Sequence, residues 1–141
     1  MSLHFIKEVP TVQELQELIP MTPELKAIKK NRDEQIRKVF TGESDKFIMI
    51  IGPCSADNET AVLDYVTRLA KVQEEVKDKI LIIPRIYTNK PRTTGAGYKG
   101  MLHQPDPEKA PDLFEGVKAI RKMHIDAIAA TGMTAADEML Y

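Results

Sequence analysis

The chain has a single cysteine, Cys54, which excludes an intrachain disulfide and fits a reducing compartment. It lacks an excess of either charge. Twenty basic against 21 acidic residues leave a net charge of −1, so no global field draws it to nucleic acid or anionic lipid. Any anion must then be held by a local cluster. Long hydrophobic runs are missing too. The longest, Phe47 to Ile51, falls far short of the ~20 residues of a membrane span. Met1-Ser2-Leu3-His4 shows no basic segment leading into an apolar stretch, so no secretory signal is expected. These absences together predict a cytoplasmic protein. There is no Gly-x-x-x-x-Gly-Lys-Ser/Thr loop, no internal repeat and no low-complexity tract.

What is present is an ordinary globular composition, 43% hydrophobic and 29% charged over 141 residues. A chain of that length buries roughly two thirds of its unfolded surface. Thr11-Val12-Gln13-Glu14 has the form of a capping box and predicts a short helix towards Ile19, stopped by Pro20. Thr22-Pro23 predicts the start of a second helix, with Leu25, Ile28, Ile36, Val39 and Phe40 on one face and its end near Gly42. Arg32 interrupts that stripe, either snorkelling or marking a contact outside the segment. Phe47 to Ile51 reads as a strand buried on both faces. Val62, Tyr65, Val66, Leu69, Val72 and Val76 keep helical spacing. Ile80 to Ile83 forms a second strand running on to Ile86, with Pro84 suited to a strand end. A polar stretch from Tyr87 to Ala110 precedes a helix through Leu113, Val117, Ile120, His124 and Ile128, capped by Gly132. Thr134 to Leu140 is a third strand of weak propensity. Strands alternating with helices predict parallel strands joined by right-handed crossovers.

In such folds ligands gather at the carboxyl ends of the strands, where this chain places Cys54, Arg85, Lys90, Arg92, Thr93 and Glu138. Lys90-Pro91-Arg92-Thr93-Thr94 suits a phosphate: a planar fork, a point charge and hydroxyl donors on a proline-restricted turn. The rival reading is a solvated basic loop. Arg85 ends an apolar strand, where a guanidinium is costly to bury unless an anion meets it. Cys54 admits three readings: a small buried apolar residue, a nucleophile, or one ligand of a divalent metal. Glu138 reads as a general acid or base, a water-positioning group or an exposed carboxylate. His124, on an apolar helix face, reads as a packed core residue.

Ile50-Ile51-Gly52-Pro53-Cys54-Ser55, Arg85-Ile86-Tyr87, Lys90-Pro91-Arg92-Thr93-Thr94, Tyr98-Lys99-Gly100 and Ala135-Ala136-Asp137-Glu138 stand in an order that resembles the 3-deoxy-D-arabino-heptulosonate-7-phosphate (DAHP) synthases. The resemblance runs from about Glu24 to the last residue. The related octulosonate-phosphate synthases share the Gly-Pro-Cys turn but are similar to Lys-x-Asn-Arg-Ser-Ser where this chain has Lys-Pro-Arg-Thr-Thr. The family joins phosphoenolpyruvate to erythrose 4-phosphate with release of phosphate, the first step of the shikimate pathway and of aromatic amino acid biosynthesis. The resemblance implies that Cys54 ligates an essential divalent metal (Mn, Fe, Co or Zn). It also implies that Arg85 and Lys90 hold phosphoenolpyruvate, that Arg92 and Thr93 take the phosphate of erythrose 4-phosphate, and that Glu138 places a water or proton.

The implied fold is α/β, the first part of a (β/α)8 TIM barrel over 46–141, about three strand units, behind a helical extension over 1–45. A whole barrel needs about 250 residues, so the expectation is an N-terminal portion, inactive alone. Self-association is expected from its open sheet edge, and in the family the extension serves subunit contacts and inhibition by an aromatic amino acid. Two rivals stand beside this reading. One is a non-catalytic oligomerisation or aromatic-amino-acid-binding module. The other is a small flavodoxin-like domain for phosphate-containing ligands.

Overall fold

A computed structural model describes residues 8–90 and 96–138. Arg92 and Thr93, with their neighbours 91, 94 and 95, lie outside the described residues. Two helices lead, α1 (Val12–Leu18) and α2 (Pro23–Phe40), followed by β1 (Phe47–Ile51), α3 (Glu59–Val76), β2 (Ile80–Pro84) and α4 (Leu113–Thr131). No described helix is long and apolar enough to cross a membrane.

Each helix starts where a side-chain oxygen can accept the otherwise unpaired N–H groups of its first turn. Thr11 and Glu14 form the reciprocal capping box of α1. Thr22 accepts from the Leu25 N–H, with Pro23 at the first position of α2. Asn58 accepts from Ala61 to open α3, and Asp112 accepts from Phe114 and Glu115 to open α4. Gly132, at φ 68°, closes α4 in the left-handed conformation.

The two strands are parallel, with Phe47 opposite Ile80 and Ile51 opposite Pro84. Between α3, α4 and the end of β2 lies the core, built on Val62, Val66, Ile86, Met101, Met123 and Ala127. The prediction that β1 is buried on both faces is overturned: Phe47 and Ile50 are 66% and 57% exposed. The physical reason is position. Among the described residues β1 pairs with β2 alone, so one edge and much of both faces have no neighbour.

Among the described residues the third strand is one parallel bridge between Arg85 and Ala136, and positions 139 and 140 of the expected strand lie outside those residues. Along β2 alternate residues turn their backbone groups to opposite edges, and the edge away from β1 is shared. At its upper end the Pro84 carbonyl accepts from Ala136 and the Ile86 N–H donates to the Ala136 carbonyl, both at 2.8 Å. Lower down, side chains take the place of a strand. The buried Gln73 of α3 donates to the Ile80 carbonyl (2.9 Å) and accepts from the Ile82 N–H (2.6 Å). Arg32 of α2 is buried and donates to the Ile82 carbonyl at 2.6 Å. Its guanidinium therefore does mark a contact outside its own segment, and snorkelling is not its role.

Candidate active site at the carboxyl rim of the sheet

The rim begins where the chain leaves β1. Gly52 passes so close to the end of β2 that a Cβ there would sit 1.9 Å from the Arg85 carbonyl oxygen. Only glycine admits that approach without moving backbone. The close passage keeps Arg85 in line with β1, its N–H donating to the Ile51 carbonyl at 2.8 Å. It also turns the Pro53 carbonyl towards the Arg85 guanidinium, which donates to it from Nη1 at 3.0 Å. A last backbone bond, from Ala56 to the Tyr87 carbonyl (2.8 Å), holds the two post-strand segments side by side.

Arg85 is partly buried, and its charge is met from three sides. Its Nε donates to Glu138 Oε1 at 2.5 Å, Pro53 accepts as above, and the guanidinium lies 4.2 Å from the centroid of the Tyr87 ring. Glu138 is thus neither isolated nor an idle surface carboxylate. It supplies the anion that a cation at the end of an apolar strand requires. Across the rim, Lys90 Nζ donates to Cys54 Sγ at 3.2 Å. Cys54 is exposed, which overturns its reading as a small buried apolar residue. Gly100, at φ 96°, lets the returning chain cross over this segment, since a Cβ would lie 2.4 Å from the Thr88 carbonyl. The Lys90 N–H donates to the Lys99 carbonyl at 3.0 Å in the same crossing.

Cys54, Arg85, Lys90 and Glu138 therefore stand on one rim as two contacting pairs, Arg85 with Glu138 and Lys90 with Cys54. Arg92 and Thr93 fall outside the described residues. His124, expected in the core, is a quarter exposed and places Nε2 at 3.4 Å from Asp137 Oδ2. The reason is that Asp137 lies over that helix face, giving the imidazole a polar neighbour.

Thr88 is not among the residues the sequence points to, and Asp137 is there only as the neighbour of Glu138 at the end of the third strand, with no role of its own. Its Oδ1 accepts from the Thr88 N–H (3.0 Å) and the Glu138 N–H (2.7 Å), and its Oδ2 accepts a short hydrogen bond from the Thr88 hydroxyl. Burial pushes the carboxyl up, but hydrogen bonds with His124, Thr88 and the Glu138 N–H outweigh it and hold Asp137 below the ordinary carboxylate range. Spacing gives no signal for this residue. Only its place beside Glu138 in the Ala-Ala-Asp-Glu segment points to it.

A cavity of about 840 Å³ lies elsewhere, against α1 and the first turns of α4, and is lined by Leu18, Pro105, Lys109, Lys118 and Lys122. Each of these lysines already faces a carboxylate: Asp106, Glu115, and Glu59 with Asp126. The convergent chemistry lies at the rim instead. Among the described residues no three His, Cys, Asp or Glu side chains come together as a metal site. Cys54 alone does not fit a divalent ion.

The Phe-sensitive phospho-2-dehydro-3-deoxyheptonate aldolase of Escherichia coli strain K12 is 35% identical over 135 residues, covering 96% of this chain and 38% of the relative. The tyrosine-inhibited enzyme of the same name from Candida albicans is 38% identical over 103 residues, covering 73% of this chain and 28% of the relative. The solved structure of the Francisella tularensis SCHU S4 aldolase superposes with a TM-score of 0.84 at 29% identity, over 99% of this chain and 40% of that one. The chain thus spans well under half the length of each of these three relatives. Residues 19–140 match the sequence profile of the DAHP synthetase I family, and the chain belongs to that family.

Proposed function

We propose that this chain is the N-terminal part of a (β/α)8-barrel DAHP synthase, with a helical extension over 1–45 and the opening barrel units over 46–141. The full enzyme joins phosphoenolpyruvate to erythrose 4-phosphate and releases phosphate. One observation carries this reading: Cys54, Arg85, Lys90 and Glu138 share the rim that α/β folds use for ligands. Arg85 and Lys90 hold the phosphate and carboxylate of phosphoenolpyruvate, the first by a planar fork and the second by a point charge. Arg92 and Thr93 receive the phosphate of the aldose.

The physical work of these cations is to bring two polyanions together, which water alone opposes. Glu138 begins paired with Arg85. An incoming phosphate competes for that guanidinium, and the freed carboxylate is then placed to orient a water or hold a proton beside the reacting carbons. Cys54 is assigned as one ligand of the enzyme's divalent metal. The described residues supply no further ligands for that ion. The names of the Phe-sensitive and tyrosine-inhibited relatives support an aromatic amino acid as regulator of the whole protein.

The test is calorimetric titration of the chain with phosphoenolpyruvate, alongside a phosphate-release assay with both substrates and manganese. Expected are saturable binding lost in Arg85→Met and Lys90→Met, and no turnover above the blank by the chain alone. Absence of binding, or binding indifferent to both substitutions, refutes the assignment of the rim. Turnover at the rate of intact synthases refutes the inactivity of the isolated chain.

A further inference from the structure

The rim residues do not position themselves. Lys90 stands two residues beyond Thr88, and Glu138 is the residue after Asp137. Lys90 lies six residues past the end of β2, and Glu138 two residues past the bridge between Arg85 and Ala136. Strand pairing therefore holds neither. What ties them together is the Asp137 carboxylate, 11% exposed, which grips the Thr88 backbone and hydroxyl, the Glu138 backbone and the imidazole of His124 on α4. An ionised carboxylate accepts about four hydrogen bonds and donates none, and here four groups address it.

We infer that Asp137, backed by Thr88 and His124, is a positioning residue that fixes Glu138 against Arg85 and sets the root of Lys90 for the same substrate. The inference rests on the rim being the phosphoenolpyruvate site. Asp137 contacts α4 and Thr88 rather than Arg85, Lys90 or Cys54, so it acts through its neighbours and is not itself catalytic. Of its four contacts, two go to backbone N–H groups on separate segments. Losing them frees two segments at once, whereas losing an ordinary surface carboxylate frees none. Asparagine keeps the oxygen that receives those N–H groups, and its NH2 can face the Thr88 hydroxyl, which is able to accept. Alanine keeps neither.

The experiment compares wild type, Asp137→Asn, Asp137→Ala and Met123→Ala in the 15N-labelled chain. It follows the Arg85 Nε resonance, the Thr88 and Glu138 amides, and phosphoenolpyruvate affinity. Met123 is buried in the core cluster with Val62 and Val66, so its alanine variant lowers stability without removing a hydrogen bond of Asp137. Asp137→Ala should weaken phosphoenolpyruvate binding by about tenfold or more, as displaced binding groups do, and shift the Arg85 Nε resonance. Asp137→Asn should restore binding to within about threefold of wild type, and Met123→Ala should leave affinity and resonance unchanged. The positioning role is overturned if Asp137→Ala keeps both readouts, or if Met123→Ala loses them equally. If wild type binds no phosphoenolpyruvate, the functional reading fails. The Arg85 Nε resonance of Asp137→Ala then decides the positioning role alone, since the Arg85–Glu138 contact is internal to the chain.

Discussion

Gly52→Ala tests the link between the turn after β1 and the guanidinium at the rim. The added methyl would lie 1.9 Å from the Arg85 carbonyl oxygen and 2.7 Å from its carbonyl carbon, both backbone atoms with no rotamer to escape into. Contacts below 3.0 Å are essentially unknown for real Cβ atoms, so the strand ends must part by about 1.1 Å. Overpacking of this kind costs about 1–3 kcal/mol. The strained Arg85-to-Ile51 backbone bond adds about 1 kcal/mol. Together the expected loss is about 2–4 kcal/mol, read as a lowered urea midpoint at unchanged m-value in a two-state transition. Because Arg85 itself moves, phosphoenolpyruvate affinity should fall by about 100-fold. Gly132→Ala is the control. No atom lies within 4 Å of its added methyl, but its φ is 68°, so it should cost only about 1–2 kcal/mol of backbone strain and spare affinity. A Gly52→Ala variant within about 0.5 kcal/mol of wild type, binding with unchanged affinity, would refute the steric account.

Gln73→Ala leaves the Ile80 carbonyl and the Ile82 N–H without their partners and should cost about 2–4 kcal/mol by urea unfolding. Arg32→Met should cost less, because it also relieves the burial that lowers the guanidinium's proton affinity. A double-mutant cycle of the two should show coupling of at least about 0.5 kcal/mol through their shared contact, Ile82. Gly116→Ala should destabilise even though alanine favours helices by about 1 kcal/mol, since its methyl would meet the Leu102 carbonyl oxygen at 1.8 Å. A thermal midpoint equal to or above wild type refutes that contact. Asp137 has a folded-state pKa below the ordinary 3.8, so its contribution is complete above that value and lost as pH falls through the lower folded one. The stability gap between wild type and Asp137→Asn should accordingly shrink on acidification from about pH 5 to about pH 2, and a gap that stays constant refutes the linkage.

Helix starts were legible in the sequence because their rule is local. Thr11 and Thr22 each sit beside the N–H groups they satisfy, and the spacing alone shows it. The order of strands and the gathering of Cys54, Arg85, Lys90 and Glu138 at one rim were legible for a similar reason. Parallel crossovers bring the ends of successive strands to one side whatever the details of packing. Burial was not legible in this way. Phe47 to Ile51 has the composition of a strand covered on both faces, yet composition states only what a strand tolerates. Coverage depends on what stands beside it, and here β2 is its only strand neighbour among the described residues.

The polar residues that hold the sheet were hidden by the same non-locality. Gln73 sits in a helix whose apolar stripe drew attention to Val62, Val66 and Val72, but Val72 is 44% exposed while Gln73 is 7% exposed. A helical moment ranks residues by their affinity for water and cannot see a strand edge whose N–H and C=O groups need partners. Wherever a sheet edge meets a helix, a glutamine or arginine at a nominally apolar position satisfies backbone groups that leucine would leave orphaned. Arg32 broke its stripe visibly and Gln73 did not, though both serve the edge of β2. The difference lies in charge: a guanidinium on an apolar face demands an explanation, whereas a neutral amide passes for surface until the edge it completes is seen.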